Sequence, residues 1–155
     1  MSYNTNVYMK QGGSELVVAT GGAIRDDSLA RSIRTRATIA QANAGLTLLA
    51  AIPGYKYRLV DVTMIAVGGS VATVTTLDIL GTQSASEVKL VAFAQAQLTR
   101  STVLRPGITG AAVLADGASF VACDANTAIR LLKTGTDAAT ATHIDVILTY
   151  TVEAA

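Results

Sequence analysis

The stretch Thr142-His143-Ile144-Asp145-Val146-Ile147-Leu148-Thr149-Tyr150-Thr151-Val152 decides the fold. On an extended chain Ile144, Val146, Leu148, Tyr150 and Val152 fall on one side, and His143, Asp145, Thr149 and Thr151 fall on the other. The period is two rather than 3.6, which predicts a half-buried strand with one apolar face and one wet face.

The same period extends through most of the chain. Tyr57–Val67 (YRLVDVTMIAV) puts Val60, Val62, Met64 and Ala66 on one side and Leu59, Asp61, Thr63 and Ile65 on the other. Both faces are mixed, yet the β-branched content and the stop at Gly68-Gly69 favour a strand. Val71–Leu80 and Val88–Phe93 read as strands on either side of a polar turn, Thr82–Glu87. Shorter strands are expected at Ala37–Ala42, Leu46–Ile52, Ala111–Ala115, Ser119–Cys123 and Ala128–Lys133. Turn signals separate them at Pro53-Gly54, Pro106-Gly107, Asp116-Gly117, Asp124-Ala125-Asn126 and Thr134-Gly135. Ala92–Thr99 suits either a helix or a strand. The pattern predicts an all-β fold: an antiparallel β-sandwich or jelly-roll body of about eight strands, preceded by an N-terminal arm.

Composition sharpens that reading. Ala, Thr and Gly supply 60 of the 155 residues, so side chains are small, while Leu, Ile, Val and Phe remain numerous enough to build a core. A net charge of +1 is far from the footprint of a nucleic-acid or anionic-membrane binder, so neither partner is expected. The longest apolar run, Leu46–Gly54, is broken by Pro53 and Gly54 well short of a bilayer span. The polar start MSYNTNVYMKQGGSE lacks the order of a secretory leader.

Residues 1–36 read as an arm and residues 37–155 as the body. The arm holds one strand-length apolar stretch, Glu15–Thr20, in which Leu16, Val17 and Val18 sit between the glycine pairs Gly12-Gly13 and Gly21-Gly22. Such a segment can add itself to an exposed sheet edge of a partner. Arg25, Arg31, Arg34 and Arg36 form a basic cluster around Asp26 and Asp27, and their guanidinium groups suit carboxylates by paired hydrogen bonds. A helical turn over Asp27–Arg36 competes there with a solvated, charged turn. The outward faces of the body carry Thr and Ala rather than Lys and Glu, which predicts self-association with cyclic symmetry.

A search for catalytic chemistry finds little to build on. Cys123 is the one cysteine and His143 the one histidine, so neither a disulfide framework nor a His- or Cys-rich metal site is available, and no metal or cofactor is expected. Cys123, His143 and Asp145 are the ingredients of a thiol triad, but no local signature surrounds Cys123, which reads as a small buried hydrophobe on a strand. His143 reads as a surface residue on the wet side of its strand. No G-x-S-x-G elbow, dinucleotide fingerprint or phosphate loop occurs. An enzyme is not the expected reading.

The segments YMKQGGSELVVATGG, LTLLAAIPGYKYRLVDVTMIAVGG, LADGASFVACDANTAI and THIDVILTYTVE together resemble small decoration (cement) or head-fibre proteins of tailed bacteriophages. The resemblance implies a homotrimeric sandwich or jelly roll on the outer capsid surface of the virion, made in the host cytoplasm and seated where major capsid protein subunits meet. It also implies that the N-terminal arm makes the capsid contact. The alternative function is a receptor- or glycan-binding β-sandwich module of a phage fibre.

Overall fold

The structure, a computed structural model, describes residues 7–9, 12–13, 16–18, 29–108, 111–112 and 121–155. Near the N-terminus β1 (Val7–Met9) and β2 (Leu16–Val18) pair antiparallel as a short two-stranded ribbon. The body is a two-sheet antiparallel sandwich. One sheet has four strands in the order β3 (Arg31–Thr38), β11 (His143–Ala154), β5 (Tyr55–Val67) and β8 (Val103–Leu104). The other has five, in the order β4 (Leu46–Leu49), β10 (Ile129–Ala139), β6 (Ala72–Gln83), β7 (Ser86–Ala94) and β9 (Ala111–Ala112).

The inward positions of β11 are those its periodicity marks: Ile144, Val146, Leu148 and Val152 are buried. They face a common core with Leu77, Ile79, Leu90, Val91, Phe93 and Leu131 of the opposite sheet. In β5 the pairing with β11 slips between Thr149 and Tyr150, whose partners are Asp61 and Leu59, so Val60 bulges out of the ladder. Tyr57 and Leu59 point inward before the bulge, and Val62, Met64 and Ala66 after it. One extra residue thus switches the face, and both sides of the segment look mixed in sequence. A similar slip leaves Leu90 bulged between Val91 and Lys89, so Leu90 and Val91 are both buried.

Several local expectations are corrected. Ala37–Ala42 is not one strand: β3 ends at Thr38 and a short helix α1 (Ile39–Ala44) follows. A capping box starts it, with Gln41 N–H donating to Thr38 Oγ1 at 3.2 Å and Thr38 N–H to Gln41 Oε1 at 2.9 Å. Gly45, at φ +87°, ends it. No helical turn forms over Arg31–Arg36; those residues are extended in β3, so a boundary at residue 36 would cut the four-stranded sheet. The Thr82–Glu87 turn shrinks to Ser84-Ala85, both at positive φ as a two-residue hairpin requires. The Asp124 carboxylate accepts from the backbone N–H groups of Ser84 at 3.2 Å and Ala85 at 2.7 Å. Thr134-Gly135 is no turn but an irregularity inside β10, where a Cβ on Gly135 would meet Thr75 Oγ1 at 2.6 Å. The described part of Ser119–Cys123 is not strand; Cys123 N–H instead donates to Tyr57 O at 2.7 Å, and Asp124 N–H to Thr82 O at 2.7 Å, tying β5 to β6. Ala92–Thr99 divides between the end of β7 and a 3-10 turn, Gln95–Gln97.

Candidate docking surface

Register places the outward side chains of the four-stranded sheet in rows. One row runs Arg36, Asp145, Ile65, Val103 across β3, β11, β5 and β8. The next runs Arg34, Ile147 and Thr63, and reaches Arg105, which immediately follows β8. Alternation along β3 is what sends Arg34 and Arg36 to this face while Ile33 and Ala37 turn to the core.

Asp145 is 3 % exposed although it lies on the outer face. Arg34 and Arg36 cover it: Arg34 Nη2 donates to Oδ2 at 2.5 Å and Arg36 Nε to Oδ1 at 3.2 Å, while both arginine side chains stay about 60 % exposed. Burial alone pushes the Asp145 carboxyl up, but the two guanidinium groups outweigh it and hold the group below its ordinary range. At the other end of the strand Arg58 and Glu153 pair at 2.5 Å, and that hydrogen bond lowers the Glu153 carboxyl.

A carboxyl depressed in the folded state adds stability above its unfolded value and loses it as pH falls through the folded one. The midpoint of urea unfolding should therefore hold between pH 7 and about 5, then decline below about pH 4, where unfolded carboxylates take up protons first. Converting Arg34 and Arg36 together to Gln should flatten that acid limb, as urea melts over the pH series would show.

The expected site residues separate into three groups. Leu16, Val17 and Val18 form β2 and pair with β1. Arg31, Arg34 and Arg36 lie on β3, within the body rather than in an arm. Arg25 lies outside the described residues. Arg105 carries no signal in the sequence, because only the β5–β8 register brings it level with Thr63, to whose Oγ1 its Nε donates at 3.1 Å.

The thiol triad does not assemble. Cys123 is held beside Tyr57, whose partner in β11 is Val152, whereas His143 begins that strand, nine residues or about 30 Å away. Burial raises the Cys123 thiol to about 11. Native protein at pH 8 should consequently react with a thiol-specific disulfide reagent at least a hundredfold more slowly than urea-unfolded protein, followed by absorbance. His143 is not a surface residue either: its side chain is 14 % exposed, with Nε2 buried 3.8 Å from Asp145 Oδ1. Among the described residues no group of three or more His, Cys, Asp or Glu could hold a metal ion. No helix of the described residues is long and apolar enough to cross a membrane.

No protein-family model, curated protein or solved structure matches the chain.

Proposed function

We propose that the chain is a structural virion protein that decorates and stabilises the outer surface of a phage capsid as a homotrimer, bound through its N-terminal residues. The observation that carries this reading is the eight-residue strand β3, which among the described residues is an edge strand paired with β11 alone, bearing Arg34 and Arg36 on its outward side. An open edge of that length is a template for another chain, and a rigid all-β body suits a protein that acts by shape and multiplicity. β2 offers a second extended segment for such pairing. Several weak contacts on one trimer would raise avidity through effective concentration.

Because β3 belongs to the sheet, the informative truncation removes residues 1–28 and leaves Arg31–Thr38 intact. The full chain should cosediment with phage heads lacking it at fixed stoichiometry and appear as trimeric density above the capsid floor by cryo-EM. The truncated chain should keep its β-rich circular dichroism and, with β2 gone and β3 kept, bind heads more weakly than the full chain. Absence of the full chain from heads would overturn the reading, and a monomer by light scattering at micromolar concentration would remove the trimer.

A further inference from the structure

Three guanidinium groups on the outer face of the four-stranded sheet share one arrangement. Each is anchored to its own sheet through one nitrogen: Arg34 through Nη2 and Arg36 through Nε to Asp145, and Arg105 through Nε to Thr63. Arg34, Arg36 and Arg105 are nevertheless all exposed at this surface. Arg34 and Arg105 stand three strand steps apart, about 14 Å, with Ile147 and Thr63 between them. In the adjacent row Ile65 is half-buried and Val103 is 49 % exposed.

The geometry points to this face as a docking surface for a partner protein that presents carboxylates around an apolar contact. Anchoring removes part of the side-chain entropy that a free arginine would lose on binding, and the remaining donors form forks that match carboxylate oxygens. Ile65, Ile147 and Val103 give the centre an apolar character that a protein surface can cover and a phosphate backbone cannot. Asp145 and Asp61 on the same face also disfavour a polyphosphate. The described residues of a second copy offer few unpaired carboxylates. Among the described residues Glu87, Asp137 and Glu153 are already paired with Arg130, Lys133 and Arg58 of their own chain.

This inference rests on the docking reading above and names the chemistry of the partner, so its probe contains no phage component. Full-length protein is run over immobilised poly-L-glutamate in a salt gradient, with Arg130→Glu as a charge-matched control on the opposite sheet, where Arg130 pairs with Glu87 at 3.1 Å. Wild type should be retained. Arg105→Glu and Arg36→Gln should each weaken retention about tenfold, and Arg130→Glu much less. Thermal melts establish that each variant is folded.

Equal weakening by Arg130→Glu, or none by the other two variants, overturns the inference. Tighter retention on immobilised duplex DNA overturns the carboxylate chemistry. Concentration-dependent self-association that Arg105→Glu abolishes assigns the face to a second copy and also overturns it. If wild type fails to bind heads but behaves on the column as expected, the capsid reading fails and this one stands.

Discussion

Replacing Asp78 with Ala should destabilise the protein by about 3 kcal/mol, lowering Tm by about 6–12 °C. Asp78 is 1 % exposed on the outer side of β6, the middle strand of the five-stranded sheet. Its Oδ2 accepts from Thr134 Oγ1 of β10 at 2.6 Å and lies 3.2 Å from Lys89 Nζ of β7, which in turn donates to Thr134 Oγ1 at 2.5 Å. One carboxylate thus ties three strands together. Alanine leaves an ammonium group with a hydroxyl as its remaining partner, and because the Lys89 side chain is one-quarter exposed the loss falls at the low end for a broken buried pair. The combined change Asp78→Leu with Lys89→Met should recover most of the stability, since a well-packed apolar pair dispenses with both desolvation costs. Thermal and urea melts of both proteins test this; an unchanged midpoint for Asp78→Ala would refute the clasp.

Gly81→Ala should cost about 2 kcal/mol for a different reason. A Cβ there would lie 2.6 Å from Cys123 Sγ, 2.9 Å from Leu90 Cδ1 and 3.3 Å from Ile129 Cδ1, all in a packed interior. The glycine is required by close approach. Cys123→Ala alone should cost about 1 kcal/mol through the small void it leaves, but added to Gly81→Ala it should restore stability by removing the nearest clash. A double-mutant cycle from urea melts reads the sign directly, and additive losses would show that Leu90 rather than the thiol limits the space.

Much of the fold was legible because β11 keeps a period of two over a long run and the other long strands are rich in β-branched residues. The all-β class follows from that, as do strands at Leu46–Leu49 and Leu16–Val18. Less legible were features that depend on a partner strand. The Val60 bulge exists only through the register with β11, and the Ser84-Ala85 turn has no Gly or Asn to mark it because Asp124, forty residues away, holds its N–H groups. The helix after Thr38 did carry a signal: Thr38 and Gln41 have capping-box spacing, and Ala40, Ala42 and Ala44 favour a helix.

The docking face divides in the same way. Arg31, Arg34 and Arg36 stand out as a basic cluster, whereas Asp145, which orders two of them, comes 111 residues after Arg34. Arg105 is an isolated cation in the chain and joins the face only through strand pairing. Clustering in sequence finds half of such a surface, and the other half is topological.

The place of β11 between β3 and β5 also has a bearing on biosynthesis. The last strand in the order is an interior one, so until residues 143–154 have been made β3 lacks its partner among the described strands and β5 has only the two-residue β8. While the ribosome still holds that segment, the Arg-rich β3 and the Val-rich β5 wait with open edges, a state that favours chaperone capture or cross-pairing with a neighbouring nascent chain. Completion then requires pairing across more than a hundred residues, which places folding at the slow, millisecond-to-second end for a domain of this kind.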